Sequence, residues 1–206
     1  NNLMPVTING NGSITGLAVG GLPDGSVDAD TLASNAVTSA KLASGAITSS
    51  ALPAGSIIQV KGGIETSQVQ YSADQFTDGP EVTITASNAS NKILIMGTIS
   101  IGEGSGGDVH VFLYKDGSVL PGAIGQAVGN NTRSTSGLSC GRSAWDTQTT
   151  PVFYMETAGD TSSHTYKITA MATNTPIALN RQQNGNQNMD NDNSHISYIT
   201  AMEVKG

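Results

Sequence analysis

The chain has 206 residues, a net charge of −7, 12% charged and 4% aromatic residues, and 25 glycines, which suits one domain plus an accessory segment and favours β-structure with many loops. The acidic balance disfavours general nucleic-acid binding, which needs a cationic face against phosphate, and docking on anionic lipid through a basic patch. No apolar run approaches the roughly 18 residues of a membrane span, the opening residues do not read as a signal peptide, and a single cysteine, Cys140, rules out an intrachain disulfide framework.

Taken in chain order, residues 1–55 read as an extended stalk or attachment segment. Ile14, Leu17, Val19 and Leu22 belong to a degenerate first copy of a motif that becomes regular at Gly25. From there GSVDADTLAS, NAVTSAKLAS and GAITSSALPA repeat every ten residues, followed by GSI. Position four (Asp28, Thr38, Thr48) is an N-cap residue type. The Val or Ile before it and the Leu four residues after it have the spacing of a hydrophobic staple. Gly or Asn at position one supplies the left-handed residue that stops a helical turn. Each decad therefore reads as one short helical turn followed by an extended link.

A single such turn is unstable in water, and the apolar spacing forms no stripe on a continuous helix. The unit needs neighbours. Parallel copies of the segment would bring Val27, Leu32, Val37, Leu42, Ile47, Leu52 and Ile57 to a shared axis as the core of an oligomeric stalk. The other reading is a flexible Ala/Ser/Thr linker, but a linker gives no reason for caps and staples to stay in register.

Residues 56–206 read as an all-β head. SIIQVKGGI (56–64), EVTITAS (81–87), NKILIMGTISIG (91–102), DVHVFLYKDGSVLPG (108–122), TPVFYMETA (150–158), HTYKITAMATN (164–174), TPIALNRQ (175–182) and SHISYITAMEVKG (194–206) supply the strands. Val82, Ile84 and Ala86 share one face, and Asp116-Gly117 marks a hairpin turn. A jelly-roll-like antiparallel sandwich is expected. Two polar segments, 125–150 and 180–195, do not fit strands, and loops of that length are usually functional or disordered.

Those segments hold the candidate ligand-binding residues. Trp145 offers a flat apolar face with a polar handle, either for stacking on a sugar or for packing in the sandwich or a subunit seam. Arg142, Asp146 and Tyr154 are its neighbours in sequence. Asn130, Asn131 and Arg133, together with Asn188, Asp190 and Asp192, supply hydrogen-bonding groups suited to glycan hydroxyls or to an ordinary surface loop. Asp190, Asp192 and Asn193 alternate like calcium ligands, but the EF-hand pattern fails: its sixth place is His195 and its twelfth Ala201. No metal site and no cofactor is expected. His110, His164 and His195 have no metal-ligand spacing and read as ordinary strand residues. GEGSGG (102–107) lacks the Lys-Ser/Thr of a phosphate-binding loop. Cys140 has no ordered His/Asp arrangement to make it a nucleophile.

The order of several motifs carries a resemblance. They are Ser90-Asn91-Lys92-Ile93-Leu94-Ile95, Lys115-Asp116-Gly117, Thr165-Tyr166-Lys167-Ile168, Leu179-Asn180-Arg181 and Ile199-Thr200-Ala201-Met202-Glu203-Val204, preceded by the stalk repeat and ALPAGSIIQVKGG. Over roughly residues 12–206 the chain resembles phage tail-fibre and tail-tip proteins. The resemblance implies a homotrimer with an intertwined N-terminal stalk and a β-sandwich head like that of tumour necrosis factor or complement proteins. It carries over no ligand-contact residue, and it leaves open a place at the fibre tip, the baseplate or a capsid spike.

Two functions follow as expectations. The first is a non-enzymatic virion attachment protein, binding a host-surface glycan or protein multivalently through head loops and another virion protein through its N-terminal segment. The second is a capsid decoration or collar protein that stabilises the particle without binding a receptor. Neither involves nucleic acid or membrane insertion.

Overall fold

The computed structural model describes residues 7–8, 14–15, 27, 30, 32–103, 107–140, 146–183 and 193–206. The chain divides into two compact units, residues 1–48 and 49–206. In the first unit β1 (Thr7–Ile8) pairs antiparallel with β2 (Ile14–Thr15), a pairing too short to leave a sequence pattern.

The ten-residue repeat has a matching backbone. Ala36 N–H donates to the Ala33 carbonyl (2.9 Å) across a turn with Asn35 at φ 63°, and Ala46 N–H donates to the Ala43 carbonyl (3.0 Å) across a turn with Gly45 at φ 78°. Position one is therefore the left-handed residue, a conformation that Gly and Asn accept most readily. Between the turns lies a 3-10 turn, η1 (Ser39–Lys41), with Thr38 at its N-cap. The Thr38 hydroxyl makes no capping hydrogen bond, contrary to expectation. Its carbonyl does the work instead, accepting from Lys41 N–H at 2.9 Å, since a turn of this length closes through backbone alone. Among the described residues of this unit, Val27, Leu32, Val37, Leu42 and Ile47 are between 42% and 56% exposed.

In the second unit η2 (Ser49–Ala51) repeats that turn. The Lys205 ammonium donates to the carbonyls of Ser50 (2.8 Å) and Leu52, and Gly55 N–H donates to the Lys205 carbonyl (2.8 Å). Leu52 is half-buried, and Ile57 is the first residue of a strand. The strands are β3 (Ile57–Glu65), β4 (Val69–Tyr71), β5 (Glu81–Thr85), β6 (Lys92–Glu103), β7 (Gly107–Lys115), β8 (Ser118–Val119), β9 (Ser136–Cys140), β10 (Thr147–Thr157), β11 (Ser163–Ala172), β12 (Ile177–Leu179) and β13 (Ser197–Val204). A short turn, η3 (Pro121–Ala123), follows β8.

These form two antiparallel sheets. One runs β3-β13-β6-β10, with β12 and β4 added where β13 leaves β6. The other runs β5-β11-β7, with β8 and β9 sharing the far edge of β7. Among the described residues, eight strands have five or more residues: the first pairs with the last (β3 with β13), the second with the seventh (β5 with β11), the third with the sixth (β6 with β10) and the fourth with the fifth (β7 with β9). This is the order a long hairpin takes when it is rolled into two layers.

Period-two alternation builds the core. Ile93, Ile95, Ile99 and Ile101 of β6 face Val109, Val111 and Leu113 of β7 and Tyr166, Ile168 and Ala170 of β11 across the sandwich, all nearly or fully buried. Gly63 marks where the two sheets meet at an edge: a Cβ there would lie 1.8 Å from the Glu81 carbonyl oxygen.

The motif residues hold the frame. Glu203, fully buried, accepts from Gln59 Nε2 (2.6 Å), Asn91 Nδ2 (2.6 Å), and Ser87 N–H and Oγ (2.7 Å each). Asn180, also fully buried and at φ 57°, donates from Nδ2 to the Glu65 carbonyl (2.8 Å) and accepts at Oδ1 from Ser197 Oγ (2.6 Å). Asp116 (φ 51°) and Gly117 (φ 79°) form the expected hairpin turn. The Asp116 carboxylate meets Thr165 N–H (2.9 Å) and His164 Nδ1 (2.7 Å). The hydrogen bond to Asp116, helped by one to Asp160, raises the His164 pKa.

Two sequence expectations are corrected. The segment 125–150 is not one loop: Ser136–Cys140 is β9 and residues 147–150 open β10. Small polar residues hid β9, whose Leu138 alone is a buried apolar side chain among its described positions. Val69–Tyr71 forms β4, also unexpected, because its three residues are too few to show alternation.

Candidate functional site

The expected ligand residues fall in separate places. Asn130, Asn131 and Arg133 are exposed on one lateral loop that leaves β8 and returns at Ser136, on the side of β7 away from β11. Arg133 Nε donates to the Gly125 carbonyl (2.7 Å), and Gly125 N–H donates to the Ser134 carbonyl (3.1 Å), so the base of this loop is cross-tied. Asp146 is exposed just before β10. Arg142, Trp145, Asn188, Asp190 and Asp192 lie outside the described residues. Tyr154 is not with Asp146: it points inward from β10 and packs against the core.

The strand register locates the ends of the sandwich. Gly107 pairs with Cys140 and Thr147 with Gly102, and the backbone of Arg181, Gln182 and Gln183 passes against Gly102. The described residues that flank 104–106, 141–145 and 184–192 therefore share one end. At the opposite end Lys92 pairs with Val204 and Thr157, and the segment from Ser49 to Ser56 joins there. Ser49–Ala51 and Asp146 are thus at opposite ends of the second unit, and Asn130, Asn131 and Arg133 lie along its side.

A second feature had no equivalent in the sequence reading. Three successive rows on the outer face of the β3-β13-β6-β10 sheet are largely apolar. Its register aligns Val60, Met202, Leu94 and Met155 in one row, Gly62, Thr200, Met96 and Phe153 in the next, and Ile64, Tyr198, Thr98 and Pro151 in a third. None of these side chains is charged. Ile64 is 69% exposed, Phe153 64% and Met155 57%. A groove of about 380 Å³ runs along it beside Ile64, Ile196 and Tyr198. The signal was available: in "PVFYMET" Phe153 and Met155 alternate with inward Val152 and Tyr154, so both faces of β10 are apolar. A strand apolar on both faces is covered on both sides or has an uncovered apolar face.

Among the described residues no group of three or more His, Cys, Asp or Glu converges to hold a metal ion, and no helix is long and apolar enough to cross a membrane. Compared with known protein families and with curated proteins, the sequence matches none.

Proposed function

We propose that this chain is a phage tail-fibre or tail-tip protein that acts by binding, without catalysis. Its head is a jelly roll that assembles as a homotrimer. Its N-terminal repeat anchors it to another virion protein, and it attaches the virion to a host-surface glycan or protein. The observation that carries this reading is the polarity of the second unit: the last turn of the repeat packs at one end, and Asp146 with the described residues flanking 141–145 and 184–192 lies at the other. The rolled-hairpin strand order supports the jelly roll. The apolar outer face supports self-association, because an uncharged surface of that extent on a solitary domain is a liability. The exposed Val, Leu and Ile of the repeat point the same way.

The test is the solution mass of the full chain by light scattering, joined to binding on a glycan array printed at sparse and dense spacing. Three chains per particle, with binding only at dense spacing, is the expected result, since three weak sites gain through avidity. A single-chain mass overturns the assembly. A trimer that binds no glycan and no cell surface would favour the particle-stabilising role instead.

A further inference from the structure

A cavity of about 440 Å³ opens on the outer face of the other sheet, between β11, the end of β7 and the chain leading into β5. That lies in the size range of small-ligand sites, roughly 300–1,000 Å³. One wall is aromatic. Phe76, 43% exposed, stands edge-on to Phe112 and Tyr114 with ring centroids 5.3 Å and 5.8 Å away, and Phe76 and Tyr114 both line the cavity. The rim is polar and ordered. Lys167 Nζ sits between Asp78 Oδ1 (2.5 Å) and Glu81 Oε2 (2.9 Å). Burial alone would lower the Lys167 pKa, but these two carboxylates outweigh it and raise it, so the ammonium stays charged.

The floor carries the second observation. Thr169 lines the cavity, is 4% exposed, and its buried hydroxyl has no hydrogen-bond partner among the described residues. An unpaired buried hydroxyl is destabilising. Valine has the same shape and would avoid that cost if the position served packing alone.

We propose that this cavity binds one neutral sugar ring of a glycan. The apolar face of a pyranose lies against Phe76 and Tyr114. Its hydroxyls donate to Asp78 and Glu81, accept from Lys167 and exchange a hydrogen bond with Thr169 at the floor. Two carboxylates against one ammonium leave the site net negative, which selects against acidic sugars. The proposal rests on the attachment reading for its role in the particle, but its test is made on the protein alone.

The test is saturation-transfer NMR of the full chain with the methyl glycosides of glucose, galactose, mannose and N-acetylglucosamine, with glucuronic and N-acetylneuraminic acids as acidic probes. At least one neutral glycoside should show transfer concentrated on its ring C–H protons. Its affinity should fall about tenfold in Phe76→Ala and in Thr169→Val, corresponding to one lost aromatic face or one lost hydrogen bond. Val128→Ala, at an exposed position of the lateral loop, should leave it unchanged. Thr169→Val preserves the shape of the fold, so a null result for Phe76→Ala through misfolding cannot rescue or sink the idea by itself. No transfer to any neutral glycoside, equal binding by both pocket variants, or preference for an acidic sugar would each overturn the proposal. Loss in a further variant, Asn131→Ala, alone would move the glycan to the lateral loop and keep attachment. Pocket binding by a chain of single-chain mass would keep the sugar site and remove the trimeric attachment protein.

Discussion

Glu203 has no exposed surface and sits on the core face of β13 beside Ile199 and Ala201. Burial on its own would raise its pKa; the hydrogen bonds from Gln59, Asn91 and Ser87 outweigh that and lower it. A depressed folded-state pKa contributes stability above the unfolded value, near 4.3 for Glu, and that contribution disappears as pH falls through the folded value. Glu203→Gln keeps the shape but turns an acceptor-only group into one that presents a donor to donors. We expect it to cost about 2–4 kcal/mol at pH 7, read from urea unfolding, with the difference from wild type shrinking below about pH 4. Period-two alternation puts position 203 on the same face as Ile199 and Ala201. It could not show why a carboxylate belongs there, because its partners Gln59, Ser87 and Asn91 are more than a hundred residues away in sequence. The same holds for the Asn180 amide, which donates to the Glu65 carbonyl 115 residues earlier. The motifs behind the resemblance are thus largely frame residues.

At the scale of elements, legibility followed length and apolarity. β6, β7, β10, β11 and β13 were readable because each alternates over several residues. β4 and β9 were not, being short or built of small polar residues. Glycine in a strand interior carries no side chain to pack, and Gly63 lets β3 pass against the Glu81 carbonyl where the sheets meet. Alanine there must push the two backbones apart. Gly63→Ala is expected to cost about 2 kcal/mol or more by overpacking, seen as a lowered melting temperature. In the repeat, position one was legible as a left-handed residue because only backbone sterics decide it. The missing Thr38 cap was not, because whether a hydroxyl is used depends on how many amides the turn leaves free.

For the whole molecule, the sandwich was legible and its outer apolar face was not. That face needs the register of four strands to line up Val60, Met202, Leu94 and Met155. If it joins copies of the chain, unfolding is coupled to dissociation and the melting temperature rises with protein concentration. Phe153→Glu, at a 64% exposed position, should abolish that rise without disturbing the core; a melting temperature independent of concentration in the wild type would show that the face is not shared. One more consequence lies in the pairing of the first long strand with the last. Gly55 leads directly into β3, and β3 is held along its length by β13. In the proposed attachment role, tension drawn through the repeat while the far end is held would pull β3 lengthwise past β13. The hydrogen bonds of that ladder then carry the load side by side rather than one after another, so the head resists being drawn out at the place where a tethered particle would tug on it.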